Sequence, residues 1–218
     1  MKMTRKQKRF CTAICLLAAF VLWTALLYIV DVRPIGPLDS QVGFASMNRW
    51  VHERTGVSIM LYEVTDRLGL VPIAVAMGFA ILGLWQLIRR KSLLRVDRGI
   101  LALGVFYLAV MAVFVLFEVV VVNRRPVLID GILEASYPSS TTMLVMCVIP
   151  TAMMQLHARV RHKVLRVSVL LLLTAFVVFM VIGRLLSGVH WMSDIIGGAL
   201  VSAGLVMLYA AFGMTEHQ

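Results

Sequence analysis

Charge is scarce in this chain. Only 15% of its 218 residues are charged, and acidic residues number 11 against 21 Lys and Arg. Soluble domains carry about a quarter charged residues, so an ordinary water-soluble fold is excluded. Cysteine is scarce too. Cys11, Cys15 and Cys147 all lie in apolar runs, with no C-x-x-C and no Cys/His cluster, which excludes a disulfide framework and a zinc site. The chain holds no internal repeat and no low-complexity segment. What it has in abundance is apolar residues, 61% of the total, in long runs separated by short basic segments. That is the pattern of an all-α, multi-span membrane protein. The net charge of +10 does not indicate nucleic acid, because the basic residues sit in the short loops between apolar runs.

About 20 apolar residues cross the hydrocarbon core. Six runs approach that length, at roughly residues 10–30, 70–88, 99–122, 142–156, 164–183 and 194–212, the fourth being the shortest. The first reads as an uncleaved span, since no small-x-small cleavage site follows it. The whole chain, 1–218, reads as one six-span domain. Residues 31–69 mix polar and apolar side chains around Pro34, Pro37 and Trp50 and predict an amphipathic segment on the membrane surface between spans one and two. Of the 21 Lys and Arg, 14 fall in the N-terminal segment and the loops after spans two and four. The positive-inside rule then makes both termini cytoplasmic and turns the loops after spans three and five outward.

The two outward loops hold the chemistry. In "GRLLSGVHWMSD", Arg184, His190 and Asp194 fall within twelve residues. If the sixth helix starts near His190, His190 and Asp194 stack on one face at i, i+4. A carboxylate beside an imidazole orients the ring and leaves its other nitrogen free to attack. A guanidinium binds phosphate bidentately, and a helix start offers free N–H groups. The other loop carries "RRP" at Arg124–Pro126 and "YPSST" at Tyr137–Thr141, where Ser139, Ser140 and Thr141 open the fourth span. With Arg125 on the same face, these amides form a second phosphate cradle. A small transporter is disfavoured, because the polar groups gather at one face and not at the midplane.

These motifs resemble the membrane lipid branch of the type 2 phosphatidic acid phosphatase family, which is related to vanadium haloperoxidases. Its patterns are K-x6-R-P, P-S-G-H and S-R-x5-H-x3-D. Arg184, His190 and Asp194 match the third at its spacing, with Gly183 in place of the leading Ser. The second reads Pro138-Ser139-Ser140-Thr141, and the first keeps Arg125-Pro126 with Glu118 at the lysine position. The resemblance implies a metal-independent, cofactor-free hydrolase of membrane lipid phosphates, and so no nucleic-acid partner. His190 would form a phosphohistidine and Asp194 would orient it. Arg125, Arg184 and the amides of Ser139, Ser140 and Thr141 would hold the phosphoryl oxygens. The location expected is a bacterial cytoplasmic membrane with the site facing outward.

The family's general acid is the histidine of the second motif, and Thr141 stands there. General acid catalysis is worth about 10²–10⁴-fold. Its loss weighs on an alkoxide leaving group far more than on a phosphate, whose second pKa is about 6. The residues therefore leave two readings open. One is a phosphatase of lipid phosphomonoesters or diphosphates that favours diphosphates, a polyprenyl diphosphate among them. The other is a catalytically dead relative that binds a lipid phosphate headgroup or serves as a scaffold.

Overall fold

The computed structural model describes residues 3–213. Helix α1 (Arg5–Leu27) opens on a reciprocal cap in which Thr4 Oγ1 accepts from the Gln7 N–H and Gln7 Oε1 accepts from the Thr4 N–H. This satisfies two of the N–H groups that a helix start leaves bare. A small antiparallel pair, β1 (Arg33–Pro34) and β2 (Gln41–Val42), then leads into α2 (Ala45–Thr55). Next come α3 (Ile59–Leu68), α4 (Leu70–Arg90), α5 (Arg98–Val119), α6 (Ser140–Arg159), α7 (Lys163–Leu186) and α8 (Met192–Phe212). Six helical stretches are long and apolar enough to cross a membrane, with α3 and α4 counting together as Ile59–Arg90. The protein is thus a multi-pass, all-α membrane protein.

The second span differs in extent from its expectation at 70–88. Gly69 keeps helical angles, φ −59° and ψ −20°, so α3 runs on into α4 and forms one 32-residue stretch. Residues 59–69 therefore extend a span and pack along α7. The surface segment is confined to the β pair and α2. There Trp50 is exposed and the Arg54 guanidinium carbon lies 3.8 Å from its ring centroid, as suits an interfacial anchor.

The core is built around α8, which packs on α1 and α6. Of these, α6 and α8 can be less apolar than the outer helices because protein, not lipid, surrounds them. Ser202 and Thr151 are fully buried there, and each hydroxyl donates to a backbone carbonyl. Small residues allow the close approach. A Cβ added at Gly198 would sit 3.2 Å from the Ser139 carbonyl oxygen. Phe20, Leu103, Phe106, Tyr137, Val201 and Tyr209 fill the space between α1, α5, α6 and α8.

The two ends of the bundle are distinct. At one end Arg9 Nη1 donates to the Ala210 carbonyl at 3.0 Å, and Asp97 holds Arg90 at 2.9 Å and Arg159 at 3.6 Å. The basic segments of the chain therefore converge on this end. At the other end the turn between α2 and α3 docks on the turn between α7 and α8, and the Ser58 N–H donates to the Ser187 carbonyl at 3.0 Å. Gly188 makes that docking possible. Its φ is +69°, and an added Cβ would collide with the Gly56 carbonyl. Gly131 has a similar φ of +78° with nothing within 4 Å. Gly131→Ala should therefore cost only the left-handed backbone penalty, about 1–2 kcal/mol. Gly188→Ala adds the collision and should lower the thermal unfolding midpoint in detergent by clearly more, which paired melting curves will measure.

Candidate active site

The second end of the bundle brings the two expected loops together. His190 lies in the α7–α8 turn, 3% exposed. Its Nδ1 sits 3.1 Å from the Ser136 carbonyl oxygen, which can only accept, so Nδ1 carries the proton. Its Nε2 lies 3.3 Å from Arg125 Nη1 and 3.4 Å from Arg184 Nη2. Both guanidiniums can only donate, so the Nε2 lone pair points between two positive charges.

The helix start differs from the expectation. Trp191 caps α8, so His190 precedes the helix and does not share a helical face with Asp194. Asp194 occupies the third helical position, and its Oδ2 accepts from the Trp191 N–H at 3.0 Å, an end-capping role. The same oxygen is 3.7 Å from His190 Nδ1, too far for a hydrogen bond. Asp194 Oδ1 accepts from Asn123 Nδ2 at 3.0 Å. The fully buried carboxylate thus has both oxygens bonded.

Each arginine has its own support. Arg125 Nε donates to Glu134 Oε2 at 2.9 Å, and their backbones pair as well, the Arg125 N–H reaching the Glu134 carbonyl at 3.1 Å. Arg184 is 1% exposed; its Nη1 lies 3.4 Å from Thr65 Oγ1 and 3.7 Å from Asp66 Oδ1. The Tyr62 ring stands 4.9 Å from the Arg184 guanidinium carbon, within cation–π reach. Arg184 Nε is buried without a partner. Desolvated donors aimed at one spot favour an anion there.

The amides at the α6 start divide in role. The Ser139 N–H donates to the Asp194 carbonyl at 3.1 Å, so it ties the two loops together. Ser140 lines the cavity that His190 and Arg125 also line, about 420 Å³ in volume. The Thr141 side chain is half-buried and is not among the cavity residues. Phe114, Phe117, Glu118 and Met143 continue the wall between α5 and α6, giving the cavity a polar head and an apolar flank.

Several contributors have no motif of their own. Asn48 of α2 donates to Ser193 Oγ at 2.9 Å and accepts from the Ser193 N–H at 3.1 Å, and Asn123 also donates to Ser193 Oγ, at 3.2 Å. Trp191 Nε1 donates to the Arg124 carbonyl at 2.7 Å. Position gives one hint, since Asn123 directly precedes the "RRP" run.

Residues 123–217 match the PAP2 superfamily. The matched stretch holds Arg125, Arg184, His190 and Asp194. The fold extends the likeness to nearly the whole chain. It is similar to the crystal structure of the first transmembrane PAP2 type phosphatidylglycerolphosphate phosphatase from Bacillus subtilis, with a TM-score of 0.67 and 19% identity over 95% of this chain and 99% of that one. No curated protein matches the chain.

Burial pushes the His190 pKa from 6.5 down to about 4, and the charges of Arg125 and Arg184 push the same way, against Asp194. The ring is therefore neutral at physiological pH. Between about 4 and 6.5 the unfolded chain holds a proton on this ring that the folded protein does not, so stability is lost as pH falls through that window. Melting curves from pH 7 to pH 4.5 should show a steeper decline for the wild type than for His190→Gln. Equal slopes would place the stability loss elsewhere.

Proposed function

We propose that the protein is an integral membrane lipid phosphatase that hydrolyses a lipid phosphomonoester or diphosphate through a phosphohistidine on His190. One observation carries this reading: an unprotonated Nε2 faces the meeting point of two buried guanidiniums at the head of a cavity. A phosphoryl group seated there has its oxygens held by Arg125, Arg184 and the N–H groups at the start of α6, and its phosphorus within reach of Nε2. Nε2 forms the P–N bond as the lipid oxygen leaves. Water then attacks the phosphohistidine, the P–N bond breaks, and phosphate departs. The Ser136 carbonyl and Asp194 hold the ring on the side away from the substrate and stabilise the positive charge it gains.

The apolar flank formed by Phe114, Phe117 and Met143 suits a lipid tail entering sideways between α5 and α6. The reading places the cavity at the outer membrane face. Its support is the gathering of 14 of the 21 Lys and Arg in segments belonging to the other end. A polyprenyl diphosphate fits the reading as well as a monoester does, since the lipid's nature is set beyond the reacting phosphoryl group.

Phosphate release from lipid phosphates by purified protein in mixed micelles tests the reading. His190→Ala should reduce kcat by at least about 10³-fold, and Arg125→Ala or Arg184→Ala by about 10²–10³-fold each. Release indifferent to His190 would overturn the phosphohistidine route, and no release from any substrate would leave a protein that only binds lipid phosphates.

A further inference from the structure

Hydrolysis of a monoester needs a proton for the departing alkoxide, and none of the groups holding the phosphoryl oxygens supplies it well. The arginines do not release protons at physiological pH. Asp194 is buried behind the ring with both oxygens bonded. Thr141 does not line the cavity. Two carboxyl groups do, Glu134 and Glu118. Glu134 is committed to Arg125 at 2.9 Å. Glu118 takes part in no ion pair among the described residues.

The position of Glu118 matches the need. It lies on the last turn of α5, four residues after Phe114, so the two share a helix face. Phe114 lines the apolar flank, while His190 and Arg125 line the polar head. In a lipid phosphate the leaving oxygen is the atom between phosphorus and tail. Glu118 lines the same cavity, one helical turn beyond Phe114 in the direction of the connection that carries Arg125, and so stands between the tail side and the head. Resting on the phosphatase reading above, we propose that Glu118 is a catalytic residue, the general acid that protonates the leaving oxygen and so makes lipid monophosphates competent substrates.

The proton accounting closes. In the first step the Nε2 lone pair forms the P–N bond, the P–O bond to the lipid breaks, and the Glu118 proton passes to the leaving oxygen, giving a lipid alcohol. In the second step water attacks phosphorus, Glu118 takes a proton from that water, and the P–N bond electrons return to Nε2. The products are lipid alcohol and hydrogen phosphate, and both side chains return to their starting states.

The test uses two substrates that share a tail and differ in leaving group, farnesyl phosphate and farnesyl diphosphate, with full-length protein in mixed micelles. Glu118→Gln preserves shape and removes the transferable proton. It should lower kcat on the monophosphate by about 10²–10⁴-fold, while the diphosphate, whose leaving group needs no proton, should fall by less than about tenfold. Glu134→Gln serves as the contrast and should raise KM on both substrates alike. Equal losses on both substrates in Glu118→Gln, or no loss on either, would overturn the assignment. A His190→Ala variant run alongside separates the two levels: if it retains turnover, the phosphatase reading itself fails, and if it is inactive on both, only the role of Glu118 is at issue.

Discussion

Two guanidinium groups converge on one imidazole nitrogen, 3.3 Å and 3.4 Å away, in a place from which water is largely excluded. Like charges brought together in a low-dielectric site are costly, and the surrounding structure is arranged to offset that cost. Glu134 answers Arg125, and Asp66, Thr65 and the Tyr62 ring answer Arg184. The counter-charges lie at the backs of the arginines, so the faces turned toward His190 Nε2 remain short of negative charge. A phosphoryl group is the partner we propose for such a site. Burial, together with the same charges, keeps the histidine unprotonated, the state that the proposed nucleophilic role requires.

The framework holding these groups is drawn from nearly every helix. α3 supports one arginine, the α5–α6 connection carries the other, and the α7–α8 turn presents the histidine. Asn48, Asn123 and Ser193 lock the start of α8 from two sides, and the Ser139 N–H ties α6 to Asp194. Glycines at the closest approaches, Gly188 against Gly56 and Gly198 against Ser139, let backbone meet backbone without a side chain between. Positions for catalysis need to hold within a fraction of an ångström, and a buried polar network with its partners bonded supplies that rigidity.

Much of this was legible in the amino-acid sequence because the membrane imposes simple rules. Charged residues bound the apolar runs, so the last two spans, expected at 164–183 and 194–212, differ little from Lys163–Leu186 and Met192–Phe212. The polar residues of 59–69 hid the start of the second span, since Asp66 and Thr65 break the hydropathy pattern. The Thr65 hydroxyl donates to carbonyls of its own helix, and both residues lie within reach of Arg184, a contact between residues far apart in the chain that no local pattern reveals. The spacing of His190 and Asp194 brought them near each other for a different reason than a shared helical face, because Asp194 caps the helix that His190 precedes. Glu134 had no signature; its place beside Arg125 comes from backbone pairing across the α5–α6 connection. Arg125, Arg184 and His190, by contrast, converge as their motif spacing and shared membrane side led one to expect.

The central claim is that phosphorus becomes bonded to one nitrogen of one ring. Rapid acid-free quenching of the protein with a ³²P-labelled lipid phosphate, followed by proteolysis and mass spectrometry, reads this directly. The account predicts a phosphoryl group that is stable to base, labile to acid, and carried on His190 alone. Label on any other side chain, or phosphate released under these conditions with no covalent phosphoenzyme at any time point, would contradict it.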